Sequence, residues 1–147
     1  MKVRAMLDDY IAHHDLCPGA TDFDVWQNKK WVEVNVDGTP WRVFPMFPVR
    51  SFLMKHDVHH MLTGYDTSTE GEAEIAAWEL GSGGCAAHVF FWVDRIIFVL
   101  IGLLWFREKT LAAFRRGRGQ KNLFSERVED ILECDLSELR IRLRLDD

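Results

Sequence analysis

The sequence lacks the cysteine pattern of a disulfide-bonded or zinc-finger protein. Its three cysteines, Cys17, Cys85 and Cys134, are odd in number, lie far apart and form no Cys-x-x-Cys pair. This pattern favours a reducing compartment and argues against a metal site built from thiolates. A chain of 147 residues can bury enough surface to fold without disulfides, and its length predicts one domain over residues 1–147.

An excess of basic residues is also absent. The chain has 18 lysines and arginines against 23 aspartates and glutamates, which gives a net charge of −5. Because nucleic-acid binding usually needs a basic surface, no nucleic-acid partner is predicted. Residues 1–16 contain three aspartates and no long apolar stretch. They therefore do not resemble a signal or transit peptide, and a cytoplasmic location is expected.

The spacing of apolar residues predicts a mainly α, single-domain protein. Helical periodicity indicates five helical segments, at residues 2–16, 49–64, 69–80, 85–106 and 123–134. Residues 31–44 alternate instead and contain Asp37-Gly38, so they predict a small β-hairpin just before a pair of metal-binding helices. The tail, residues 139–145, also alternates, which suggests a further strand added to this hairpin.

The most informative segment is residues 56–72, HDVHHMLTGYDTSTEGE. His56 and His60 are four apart and therefore share one helix face, an arrangement that commonly holds zinc. Glu72 begins the next helix after a short loop, so it is expected to reach the same point. Two histidines and one carboxylate suit zinc, and also iron or manganese. Asp57 is either a fourth ligand or a partner that orients an imidazole, and His59, off this line, is typical of a surface or core histidine.

This pattern of His56-Asp57, two residues, His60, eleven residues and Glu72 resembles the signature of the Coq-four family of coenzyme Q (ubiquinone) biosynthesis. The flanking Leu62-Thr63-Gly64-Tyr65, Gly71 and Trp78-Glu79 are also similar to that family. The resemblance implies a mostly helical fold, a metal held by His56, Asp57, His60 and Glu72, association with membranes and a groove for an isoprenoid tail. It further implies a step on the ring of a quinone precursor, in which a carboxyl group is lost and that carbon is hydroxylated. The chain is short for the family, and its hairpin and Gly-rich break are departures from it.

Residues 89–106, VFFWVDRIIFVLIGLLWF, form the longest apolar run and contain Asp94 and Arg95. Three interpretations stay open: a buried central helix, a helix on a membrane surface that lines a lipid groove, or a membrane span. A basic cluster follows the run, as expected beside an anionic membrane; its members are Arg107, Lys109, Arg115, Arg116, Arg118 and Lys121. The expected partners are therefore a hydrophobic molecule or isoprenoid lipid and a membrane surface, to which the protein would bind peripherally. The apolar face could equally join two copies of the chain.

Three functions compete. The first is a metal-dependent lyase-like or decarboxylating enzyme, in which Asp57 or Glu79 moves a proton; Glu79 lies on the helix face of Glu72 but is equally typical of a surface charge. The second is a non-catalytic lipid carrier or assembly factor with a closed, structural metal site. The third is an HD-type phosphohydrolase, which would need His13 or His14 and Asp94 beside His56-Asp57.

Overall fold

The computed structural model describes residues 1–14, 23–46, 50–85 and 89–145; Cys17 and the helix stop predicted at Cys17-Pro18-Gly19 lie outside them. The described residues form a mainly helical structure. Its helices and strands follow in the order α1 (Val3–His14), α2 (Phe23–Gln27), β1 (Trp31–Val36), β2 (Thr39–Pro45), α3 (Arg50–Thr63), α4 (Thr69–Gly81), α5 (Val89–Trp105), α6 (Arg107–Arg118), α7 (Val128–Glu133) and α8 (Leu136–Leu143). The predicted mainly α class is confirmed.

The predicted hairpin is present at the predicted place. Strands β1 and β2 pair antiparallel, with Val36 opposite Thr39 at the turn and Trp31 opposite Pro45 at the open end. Asp37 and Gly38 both have positive φ, of 51° and 80°, as the two central residues of a type I′ turn require. The Asp-Gly pair thus fixes the register of the hairpin.

Helices α3 and α4 are joined by a tight loop that sets the start of α4. Ser68 is the N-cap, and its hydroxyl accepts a hydrogen bond from the Gly71 amide at 3.1 Å. The Ser68 amide in turn donates to the Asp66 carboxylate at 2.9 Å. A Cβ on Gly71 would overlap the backbone of Asp66, so only glycine lets the loop lie this close to the first turn. The loop therefore places Glu72 at the end of α3.

Helices α4, α5 and α6 pack against one another. All three meet at Gly102 of α5, where an added Cβ would overlap Thr110 of α6 and come within 2.8 Å of the Ala73 side chain of α4. Thr110 is itself buried and its hydroxyl donates to the Phe106 carbonyl at 3.0 Å. This glycine brings α5 close to the helix that carries Glu72.

The tail is a helix, so the strand suggested for residues 139–145 is wrong. Leu139 and Leu143 are buried in the main core, whereas Ile141 is 72% exposed. Burial at a spacing of four residues is helical and follows α8. The alternation of Leu, Ile and Arg matches strand periodicity, but the core contacts of Leu139 and Leu143 determine the outcome.

The basic segment after residue 106, which could also have been a solvated loop, likewise forms a helix, α6.

Helix α5 is not a buried central helix, so that interpretation is wrong for most of its length. Phe91, Arg95 and Gly102 face inward, but the opposite face is open to solvent. Eight apolar side chains, each at least 38% exposed, form it: Val89, Trp92, Val93, Ile96, Ile97, Leu100, Leu103 and Leu104. At 100° per residue around the helix axis, these eight side chains span an arc of about 140° that contains no charged residue. None of the described helices combines the length and apolar character needed to cross a bilayer.

Candidate metal centre

Three side chains meet between α3 and α4, as the sequence spacing predicted. His56 and His60 project from one face of α3, and their Nε2 atoms lie 3.2 Å apart. Glu72, in the first turn of α4, places Oε1 3.3 Å from Nε2 of His60 and Oε2 3.5 Å from Nε2 of His56. Among the described residues this is the one group of three His, Cys, Asp or Glu side chains close enough to hold a metal ion.

The other ring nitrogen of each histidine is hydrogen-bonded to an oxygen. Nδ1 of His60 lies 2.8 Å from the Tyr65 carbonyl, and Nδ1 of His56 lies 2.9 Å from Oε1 of Glu79. A carbonyl and a carboxylate only accept, so each Nδ1 carries the proton that it donates. In the neutral rings both Nε2 lone pairs then face each other and Glu72. Either a proton on one ring or a bound cation relieves this convergence of electron-rich atoms, and the group can hold a metal ion.

Glu79 lies behind the histidines and is fully buried, so it is not a surface charge. Its Oε1 accepts from Nδ1 of His56 and from Nδ1 of His59 at 2.7 Å, and its Oε2 accepts from Nη1 of Arg95 at 3.0 Å. Burial alone would raise the pKa of Glu79, but the charges of His56 and Arg95 and these hydrogen bonds lower it. The carboxylate therefore stays ionised and orients His56.

His59 is a hydrogen-bonded core histidine, one of the two alternatives for it. It is fully buried, and its Nε2 accepts from the Leu123 amide at 2.9 Å while Nδ1 donates to Glu79. The Leu123 amide can only donate, so it sets the tautomer of the ring. Burial lowers the pKa of His59 and keeps the ring neutral. His59 thereby links the site to the chain after α6.

Arg95 of α5 is the residue of this site that the sequence did not reveal. The sequence shows it only as a charge inside an apolar run. In the structure Arg95 is 3% exposed, its Nη1 bonds Glu79, and its Nη2 lies 4.0 Å from Oε2 of Glu72. The charged pair Asp94-Arg95 inside an otherwise apolar run is the sequence signal that could have indicated this position.

Asp57 does not belong to the group of three. It follows His56 on α3, so its side chain leaves the helix about 100° further round. Its neighbours include Leu7 and Ile11 of α1 and Met54, and burial raises its pKa to about 6. The structure brings His56, His60 and Glu72 together and leaves Asp57 on the side of α1.

Two candidate side chains for the HD-type phosphohydrolase, His13 and Asp94, have partners of their own, and the side chain of the alternative His14 lies outside the part that the structure describes. His13 is exposed on α1, and its Nδ1 lies 2.7 Å from the Asp9 carbonyl. Asp94 accepts from Nε of its neighbour Arg95 at 2.8 Å. Neither side chain is part of the group formed by His56, His60 and Glu72, so the geometry lends this hypothesis no support.

Metal binding is expected to strengthen as the pH rises from 6 to 8. Burial lowers the pKa of His56, but the charge of Glu79 and hydrogen bonds to Glu72 and Glu79 outweigh it and raise the pKa to about 9. Below that pH the metal-free ring holds a proton that a metal must displace, so each pH unit should change the apparent affinity about tenfold. Competition titrations against a chelator at pH 6, 7 and 8 measure this. Equal affinities at all three values would contradict it.

Comparison with known proteins adds no relative, since no family model, no curated protein and no solved structure matches the chain.

Proposed function

We propose that this protein is a metal-dependent enzyme that acts at a membrane surface on a hydrophobic aromatic acid, such as a prenylated quinone precursor, in the manner of the Coq-four family. The observation that carries the proposal is the group formed by His56, His60 and Glu72. Three protein ligands leave one coordination position for a substrate or water, as catalytic metal sites do. The Glu72 side chain is 20% exposed, so this position is reached from outside.

Zinc is the ion that we propose for this site. In tetrahedral zinc sites with bonds of 2.0–2.1 Å, neighbouring ligand atoms are about 3.3 Å apart. The two histidine nitrogens are 3.2 Å apart, close to this edge, and each faces one of the two Glu72 oxygens, with Oε1 3.3 Å from His60 and Oε2 3.5 Å from His56. Neutral imidazoles offer their Nε2 lone pairs, and the nearby His56 and His60 lower the pKa of Glu72 despite its burial. The donor set therefore suits a small divalent cation.

A bound divalent ion would polarise a carboxyl or carbonyl oxygen of the substrate. The side chains around it have separate tasks. Glu79 already accepts three hydrogen bonds, so it is suited to orienting His56 and not to moving a proton. Asp57 lies on the side of α1, away from the group of three, so we assign it no proton transfer. The reaction that we propose is loss of the carboxyl group as carbon dioxide, with a proton from water replacing it on the ring carbon.

The exposed apolar face of α5 supports a hydrophobic substrate and a membrane. Its eight apolar side chains lie on the face opposite Arg95. Helix α5 therefore contacts the candidate metal centre on one face and is open to solvent on the other. On α6, Arg107, Phe114 and Arg118 lie at helical spacing on the side of Thr110, which approaches α5. Apolar and aromatic side chains flanked by arginines suit the interface of an anionic membrane.

The test is release of carbon dioxide from a prenylated aromatic acid labelled in its carboxyl carbon, presented in anionic vesicles with oxygen present. We expect zinc-loaded protein to release label and the His60→Ala variant to release none. Leu100→Glu places a charge on the exposed face of α5 and should lower the rate at least tenfold, because it weakens insertion. The matched control is Val43→Glu, which alters an apolar side chain 54% exposed on the hairpin.

Binding of the labelled acid without release by folded, metal-loaded protein would contradict the enzyme proposal. The non-catalytic lipid carrier would then remain, because the exposed face of α5 favours it independently of the metal. Equal loss of rate in Leu100→Glu and Val43→Glu would contradict a specific role of α5 in membrane binding. Turnover that persists in His60→Ala would contradict the metal site as its origin.

A further inference from the structure

A buried arginine beside a metal centre is an unusual arrangement, because two cationic groups then share one enclosed space. Arg95 is nearly inaccessible on the inner face of α5. A charged side chain is buried only where partners compensate its loss of hydration. The partners of Arg95 therefore indicate what it does.

Arg95 contacts the two carboxylates that define the centre. Its Nη1 donates to Oε2 of Glu79 at 3.0 Å, and its Nη2 lies 4.0 Å from Oε2 of Glu72. On the outer side, Nε and Nη2 donate to the partly exposed Asp94. Nη1 also lies 3.2 Å from Nδ1 of His56. The guanidinium thus bridges the carboxylate that would bind the metal and the one that orients its ligand.

The charged side chains nearest the centre are Glu72, Glu79 and Arg95, with Asp57 buried on the side of α1 and the partly exposed Asp94 beyond the guanidinium. A guanidinium keeps its charge throughout the ordinary pH range. A divalent ion would therefore be a second cation placed beside Arg95. Charges are weakly screened in a buried site, so Arg95 must stabilise the metal-free centre and oppose the incoming ion.

We propose that Arg95 is the resident counter-cation of this centre: it holds Glu72 and Glu79 in place without metal and lowers the affinity for a divalent ion, so that the ion stays exchangeable. This inference rests on the proposed metal site. Arg95 acts through the two glutamates and is a positioning residue. A planar guanidinium can bond to several acceptors at once in a fixed geometry. Lysine would conserve the charge but lose part of that geometry.

The experiment measures zinc affinity and thermal stability of the full chain for wild type, Arg95→Met and Arg95→Lys. Arg95→Met is expected to bind zinc at least tenfold more tightly than wild type, whereas Arg95→Lys should stay within about threefold. Without metal, Arg95→Met should melt at a lower temperature than wild type, and zinc should raise its melting temperature by more than it raises that of wild type. Arg127→Met, at an exposed arginine paired with Asp130, is the control and should change neither quantity.

A merely structural role of Arg95 predicts a different result. The melting temperature of Arg95→Met would then fall equally with and without zinc, and its zinc affinity would be unchanged or weaker; either finding overturns the proposal. Should Arg95→Met not fold, Arg95→Gln, which keeps a donor for Glu79, takes its place. The wild-type protein supplies a further readout, because its Arg95 side-chain N–H resonances should shift on zinc addition, and no shift counts against the proposal. Absence of zinc binding in wild type would instead refute the metal centre, and this inference would fall with it.

Discussion

The His60→Ala variant should contain no bound zinc, whereas the wild-type protein should bind about one equivalent. His60 supplies one of three converging ligand atoms, and its Nε2 lies within 3.3 Å of both other ligands. Without it, His56 and Glu72 remain as two ligands on different helices. Loss of an outer partner of a ligand typically costs 10–100-fold in metal affinity, so we expect loss of a ligand itself to cost more than about a thousandfold.

Elemental analysis of protein purified without chelator measures the metal content directly. His13→Ala is the matched control, because His13 is exposed on α1 and should leave the content unchanged. Asp57→Asn makes a sharper comparison, since Asp57 lies outside the group of three and the variant should retain its zinc. Full retention in His60→Ala would refute the ligand assignment, and equal loss in Asp57→Asn would show that Asp57 is a fourth ligand.

The Glu79→Ala variant is expected to lose about 3–5 kcal/mol of unfolding free energy, because a charged partner of a buried ion pair is removed. Arg95 would keep its buried charge with only Asp94 and the more distant Glu72 beside it. His59 would lose the acceptor of its Nδ1 proton. The loss of unfolding free energy is therefore larger than the loss caused by removing a glutamate side chain from the surface.

Urea unfolding in the presence of a chelator measures this loss without a contribution from metal. The matched control is Glu74→Ala on the same helix, where a partly exposed glutamate should change the unfolding free energy by no more than about 0.5 kcal/mol. A similar, small change of unfolding free energy in both variants would contradict the role of Glu79 as a buried charge partner of Arg95. Glu79→Gln should fall between them, since the amide keeps the shape but not the charge.

Local patterns in the sequence predicted the elements that local interactions specify. The hairpin follows from alternation and an Asp-Gly turn, and the pair α3 and α4 follows from helical periodicity on either side of a short loop. The group of His56, His60 and Glu72 was also predictable, because a spacing of four places two side chains on one face and a short loop returns the third. No contact distant in sequence was needed for these predictions.

The remaining features depend on contacts between distant parts of the chain. The three hydrogen bonds of Glu79 involve α3 and α5, and its spacing of seven from Glu72 showed only that both share a helix face. The tail was predicted wrongly, and the three interpretations of residues 89–106 stayed open, for the same reason. Hydrophobicity shows that a segment avoids water, but it does not show which face is covered, or by what.

The inner face of α5 also has an evolutionary consequence. Arg95 bonds to Glu79 on α4, and seven residues later Gly102 allows α5 to pack against Ala73 of α4. Two turns of helix separate them, so changing either position alone is expected to displace the other. A chain descended from the same ancestor should therefore preserve an extended pattern: His-Asp, two residues, His, eleven residues, Glu, six residues, Glu, fifteen residues, Arg, six residues and Gly. The exposed apolar residues between them, Ile96, Ile97 and Leu100, should meanwhile vary freely among apolar types, and this contrast would distinguish true relatives from chains that share only the histidines.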